Sequence, residues 1–218
     1  MPLNLVFIGP PGAGKGTVAG MVAREWQIPH LSTGEMLRSE IAKASALGKF
    51  VQSIVASGGL VDDQTVSQIV EQRIKEQDCL QGFILDGFPR NVQQAIILDG
   101  LLAAHEKNVS AAVLFFIPEE ALVKRLSGRR YCPKCSRTYN MYTPELMPKK
   151  DSVCNDCGVI LQQRADDRSE SVRKRLHIYN THIAPLLKFY QEKNLLLQLK
   201  ADGSIQENVS RLKELLKH

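Results

Sequence analysis

The sequence predicts an α/β fold, a parallel sheet flanked by helices, on three observations. Short, continuously apolar runs recur along the chain. The segments between them carry helical periodicity, and the first run ends in a glycine-rich turn that opens a helix. Strands apolar on both faces belong to a sheet covered on both sides, and strand alternating with helix makes that sheet parallel. The 218 residues, 44% hydrophobic and 23% charged, suit one such core with smaller inserted units.

Leu3–Ile8 is the predicted first strand, and residues 17–25 form the helix after its glycine turn. Residues 29–32 read as a brief strand. Ser32 followed by Glu35 fits a capping box for a helix running through Leu37 and Ile41. Ile84 and Leu85 lie in another buried strand, and residues 111–117 form the next. Pro118 then starts a helix with Glu119 and Glu120 in its first turn and Lys124 and Arg125 near its end, charges that complement the helix dipole. Residues 170–193 are helix-periodic, with Pro185 expected to kink or interrupt them. Residues 195–199 form the last strand, and Val209, Leu212, Leu215 and Leu216 lay one apolar stripe along a final helix. Between residues 130 and 163 the periodicity fades, and four of the five cysteines fall there. That stretch is expected to be an insertion folded around its own metal.

A net charge of +5 and a pI near 9.0 suit nucleic acid, an acidic membrane surface or small polyanions as partners. No run approaches the roughly 20 apolar residues of a membrane span. Residues 1–8 lack a charged leader, so a cytoplasmic protein is expected. The fifth cysteine, Cys79, reads as a small buried residue and not as a reactive thiol.

Residues 9–17, Gly-Pro-Pro-Gly-Ala-Gly-Lys-Gly-Thr, follow the first strand and open the first helix. Glycines let backbone N–H groups turn around phosphate oxygens, the helix N-terminus adds partial positive charge, and Lys15 adds a full one. The general phosphate-loop pattern has Ser or Thr directly after the lysine to hold magnesium, whereas here Gly16 intervenes before Thr17. Asp86, ending an apolar strand, is then the best carboxylate to orient a hydrated magnesium ion; its alternative is a plain strand-end turn residue.

Cys132 and Cys135 form one Cys-x-x-Cys pair and Cys154 and Cys157 another, 18 residues apart. Four thiolates so spaced can close a tetrahedron around structural zinc. Disulfides, disfavoured in the cytoplasm, and an iron site are the alternatives. His177 and His182 read as structural.

Six segments together resemble adenylate kinases: the loop at 9–17, residues 31–38, Asp86-Gly87-Phe88-Pro89-Arg90, Gly128-Arg129-Arg130, Arg164-Ala165-Asp166-Asp167, and residues 172–176. They run in family order across nearly the whole chain, and the paired cysteines match the long-lid, zinc-containing branch. The resemblance implies a P-loop NTPase-type core at 1–31, 62–127 and 168–218, an AMP-binding flap at 32–61 and a zinc-binding lid at 128–167. It implies Gly12, Ala13, Gly14, Lys15, Gly16 and Thr17 at the ATP phosphates, with Thr138 and Tyr139 near the ATP base. AMP would meet Thr33, Gly34, Arg38, Gly87, Arg90 and Gln94, with Gly59, Leu60 and Val61 lining the pocket for its base. Arg125, Arg129, Arg164 and Arg175 would surround the transferring phosphates. Two departures stand out. Glu35 replaces the usual Asp, and Gly58-Gly59 occupies positions where Lys is frequent, which suggests a looser flap.

The implied reaction is reversible phosphoryl transfer, ATP and AMP giving two ADP, by a monomer that uses magnesium. Such transfer needs positioning and charge stabilisation more than a strong base, and arginine's planar fork suits phosphate oxygens. Lys15 and the six arginines would account for the positive charge without nucleic acid, while Arg168 and Arg173 read as solvated surface charges. A kinase using GTP, or one acting on UMP or CMP, remains a rival. A zinc-ribbon NTPase that binds nucleic acid is a remoter one, because aromatics are only 6% of the chain.

Overall fold

The computed structural model describes residues 2–217. Met1 and His218, at the outer ends of the 1–31 and 168–218 segments, lie outside the described residues. So do the side chains of Glu119, expected to be an acid in its helix's first turn, and Ser169.

The chain runs β1 (Leu3–Ile8), α1 (Lys15–Trp26), β2 (His30–Ser32), α2 (Thr33–Ala42), α3 (Ala46–Ala56), α4 (Asp63–Ile74), β3 (Gly82–Asp86) and α5 (Val92–Ala103). It continues through β4 (Ala111–Phe116), α6 (Glu119–Gly128), β5 (Arg129–Tyr131), β6 (Thr138–Asn140), α7 (Ser169–Glu192), β7 (Leu196–Lys200) and α8 (Ile205–Leu215). Five strands pair in the order β2-β3-β1-β4-β7, all parallel.

The period-2 alternation of each strand sorts its side chains between two cores. Val6, Ile8, Phe83, Leu85, Ala112 and Leu114 face one core with α4, α5 and α7. Leu5, Phe7, Ile84, Val113 and Phe115 face the other with α1 and α8. Burial on both faces explains why these strands read as unbroken apolar runs. Cys79 is fully buried in the first core, and burial pushes its thiol up to about 11, as suits an inert packing residue.

This topology positions the site. β1 and β3 are neighbours, but the chain leaves β1 toward the β2 edge and leaves β3 toward β4. Ligand crevices in open α/β sheets lie beyond the carboxyl ends of two such strands. The glycine loop follows β1 there, and Asp86 ends β3.

Residues 129–163 stand apart from the sheet. The antiparallel β5–β6 ribbon, with bridges from Tyr131 to Gln162 and from Val153 to Ile160, encloses a small core of Cys132, Tyr139, Cys154 and Leu161. Asn140 Nδ2 ties it to α6 by donating to the Arg125 carbonyl at 2.7 Å.

Two local expectations are corrected. At α2 only half of the capping box forms: Ser32 Oγ accepts the Glu35 N–H at 3.4 Å, and the complete box caps α8 instead, between Ser204 and Glu207. Pro185 does not interrupt α7, a continuous 24-residue helix. Pro185 and Thr181 both lie on the exposed side of the helix. Buried Leu186 and Tyr190, with partly buried Ile183 and Leu187, anchor the helix to the core on both sides of the proline.

Candidate active site

The crevice opens into one cleft of about 1080 Å³, bordered by the glycine loop, α2, the ends of β3 and α3, β6 and α7. Lys15 Nζ donates to the carbonyls of Gly9 at 2.8 Å and Pro10 at 3.1 Å and lies 4.0 Å from Asp86 Oδ1. Burial lowers the lysine to about 8; Asp86 works against that shift while Arg90, Arg175 and Arg129 add to it. Burial also pushes Asp86 upward, but the His30 hydrogen bond and the Lys15 charge outweigh it and hold the carboxyl below its ordinary value.

The glycine after the lysine has a steric reason. A Cβ on Gly16 would stand 3.2 Å from Asp86 Oδ2 and 3.7 Å from His30 Cε1. A side chain at this position would therefore press against the Asp86 carboxylate.

The opposite wall begins at Thr33, buried with Oγ1 donating to the Gly87 carbonyl at 3.0 Å. The Arg38 guanidinium lies against Gly34 and 4.0 Å from Asp166. Arg90 opens to the cleft yet sits deep between its walls, with Nε donating to the Gly87 carbonyl at 2.8 Å. Gln94, 2% exposed, borders the same cleft, as do Gly59, Leu60 and Val61.

Gly58 is a structural requirement more than a source of looseness. Its φ is +73°, and an added Cβ would meet Arg175 Cγ and the Ser171 carbonyl at 2.8 Å each. The close approach seats the arginine stem and docks α3 on α7, where Ser171 Oγ also donates to the Ala56 carbonyl at 3.2 Å.

Two adjacent carboxylates organise the remaining arginines. Asp167, its side chain fully buried, accepts a two-pronged contact from Arg129, and its Oδ1 lies 3.4 Å from Arg175 NH1. Asp166 accepts Arg175 NH1 at 2.9 Å. Burial lowers Arg175 to about 10, and it lowers Arg164 to about 10 with the neighbouring Arg38 and Arg129 charges adding to the shift. Arg125 stands apart, beside Gly14, with NH2 donating to the Ala201 carbonyl at 3.1 Å. Lys15 and eight arginines border the cleft against the carboxylates of Glu35, Asp86, Glu145, Asp156 and Asp166, an excess of positive charge that a polyphosphate relieves.

Asp167→Ala is expected to destabilise the protein by about 3–5 kcal/mol, because Arg129 is left charged and unpaired in a buried place. Thermal unfolding should show a fall in Tm of roughly 10 °C. A change of a degree or less would mean that the arginines are held by something else.

In the insertion, the Sγ atoms of Cys132, Cys135, Cys154 and Cys157 all lie within 4.8 Å of one another, and Cys135 and Cys154 are 3.7 Å apart. Zinc–sulfur bonds of about 2.3 Å in a tetrahedron put sulfurs about 3.8 Å apart, so four thiols here fit a structural zinc. The cysteines are free thiols and not disulfides. His177 and His182 are absent from the cluster. Thr138 and Tyr139 both border the cleft, but the tyrosine ring is buried in the insertion's core. Its hydroxyl sits 3.4 Å from Cys154 Sγ and accepts the Asn155 N–H at 2.8 Å.

Arg168 and Arg173 are exposed, as expected of surface charges. His30, which borders the cleft 3.4 Å from Asp86, carries no sequence signal of its own. For Asp166 and Asp167 the motif names the residues, while their partners appear only in the fold. Asp63, bonded to Gln94, has no motif at all.

A phosphate loop at a sheet's switch point, a carboxylate beside its lysine and arginines from several elements around one cleft define a phosphotransferase that handles nucleotides. The chain matches the family model described as Adenylate kinase over residues 7–195. It is 47% identical over 206 residues to an adenylate kinase of Thermotoga maritima, covering 94% of this chain and 92% of that one. It is 45% identical over 205 residues to that of Fervidobacterium nodosum (94% and 93%) and 42% over 214 residues to that of Caldanaerobacter subterraneus (98% and 96%). The chain belongs to the adenylate kinase family and is an enzyme of the nucleoside monophosphate kinase class. Among the described residues, no helix is long and apolar enough to cross a membrane.

Proposed function

We propose that this enzyme moves the terminal phosphoryl group of ATP reversibly to AMP, giving two ADP. The observation that carries the reading is the cleft itself, which joins the Lys15 loop on one wall to Arg90 and Gln94 on the other. The loop from Gly12 to Thr17 would hold the ATP phosphates, and Arg38 and Arg90 the AMP phosphate. Arg125, Arg129, Arg164 and Arg175 would surround the group in transit, with Thr138 and Tyr139 on the ATP side. Thr33, Gly34, Gly59, Leu60, Val61, Gly87 and Gln94 would form the AMP pocket.

An AMP phosphate oxygen is already a nucleophile, so the protein's task is to bring two polyanions into line and offset their repulsion. Asp86 would orient a hydrated magnesium ion beside Lys15, and that ion would neutralise charge on the ATP phosphates. Residues 32–61 would act as a flap over AMP and 128–167 as a lid that excludes water, the competing nucleophile. Zinc is read as the lid's structural metal. A cytoplasmic monomer that needs no nucleic acid fits this chemistry.

The test is a coupled assay with magnesium and ATP plus AMP, UMP or CMP in turn, repeated with GTP as donor. ADP should form rapidly only from ATP with AMP. ATP consumed equally well without a monophosphate would refute the reading.

A further inference from the structure

Asp63, in the first turn of α4, touches the cleft only through another residue. Its Oδ1 accepts Gln94 Nε2 at 2.7 Å, and Asn91 Nδ2 braces both its oxygens at 3.1 Å. On the other side of the same amide, Gln94 Oε1 accepts the Arg90 backbone N–H at 2.7 Å. Capping α4 does not explain Asp63, because Asp62 Oδ1 already accepts the Thr65 N–H at 2.8 Å.

A glutamine amide offers two N–H donors and two acceptor lone pairs. One donor and one acceptor are consumed here, leaving one of each in a set order. A carboxylate only accepts and a backbone N–H only donates. Turning the amide over would therefore set oxygen against oxygen at Asp63 and N–H against N–H at Arg90.

We propose that Asp63 is a positioning residue that locks the Gln94 amide in one orientation and thereby makes the monophosphate site select a 6-aminopurine over a 6-oxopurine. The inference rests on the reading of Gln94 as the base contact. Adenine shows a 6-amino donor beside a ring-nitrogen acceptor, which the locked oxygen and N–H complement. Hypoxanthine reverses that order, with an oxo acceptor beside an N–H, and only the inverted amide complements it. Arg90 N–H alone opposes inversion with a neutral hydrogen bond, whereas Asp63 opposes it with a charged acceptor.

The experiment compares AMP with inosine monophosphate as acceptors for the native enzyme and for Asp63→Asn, whose side chain can face either end of the amide. The native enzyme should favour AMP, and the variant's kcat/KM ratio for AMP over inosine monophosphate should fall by about tenfold or more. KM should rise for AMP and fall for inosine monophosphate, with kcat little changed. Both substrates are measured on one preparation, so any unfolded fraction cancels from the ratio. An unchanged ratio, with both activities falling together, would overturn the proposal, as would a native enzyme indifferent to the two. A native enzyme that phosphorylates neither would remove the kinase reading and this inference with it. Should Asp63→Asn fail to fold, nuclear magnetic resonance of the native protein decides. A Gln94 side-chain N–H shifted downfield and slow to exchange supports the lock, and two equivalent, fast-exchanging protons overturn it.

Discussion

Arg90→Ala is expected to lower kcat by about a thousandfold, roughly 4 kcal/mol of barrier, with Tm almost unchanged. Arg90 stands where β3 delivers it, four residues after Asp86 and facing the same cleft as Lys15. Among the described residues its one side-chain hydrogen bond is Nε to the Gly87 carbonyl, and the residue is open to the cleft, so truncation removes about 1 kcal/mol of stability at most. Charge gathered on the phosphates in the transition state is a different matter. It is met by fixed cations in a confined site, where losing one donor is costly. Steady-state kinetics with thermal melting separates the two effects. Near-normal turnover in a well-folded variant would reduce Arg90 to a surface charge.

Removing the zinc proposed for the four-cysteine cluster of residues 129–163 is expected to have the largest effect on order. The insertion's core holds four buried residues, and two of them are cysteines, so residues 129–163 bury too little apolar surface to fold unaided. Structural zinc contributes on the order of 10 kcal/mol to folding in small domains of this kind. Chelation or Cys154→Ser should therefore strip hydrogen-exchange protection from β5 and β6 and lower the first melting step. Amides in β1, β3 and β4 should keep theirs, because two separate apolar cores clamp them. Four thiolates saturate the metal, so activity should fall only as far as lid order falls and return in large part on cooling. A metal-free protein that melts normally and is inactive at every temperature would instead put the metal into the chemistry.

The sequence by itself determined the features set by local repeats. Unbroken apolar runs fixed β1, β3 and β4, a strand-to-helix glycine loop located Lys15, and two Cys-x-x-Cys pairs marked the insertion. Each is legible because the controlling atoms lie within a few residues of one another. The strand order, and with it the crevice where Lys15 meets Asp86, came only with the tertiary structure. So did the pairing of Arg129 with Asp167, 38 positions on, and of Gln94 with Asp63, 31 positions back. Charged and amide side chains have no periodicity that names their partners; burial makes them find one, because a polar group left unpaired away from water is costly. The glycines show the same division. Gly16 and Gly58 stand out in the sequence only as departures from a pattern, without a reason. Only the fold brings Asp86 and the Arg175 stem so close that a Cβ at either place would crowd them. Pro185 is the converse: its local chemistry argues against a helix, and packing on both sides of it lets α7 run on.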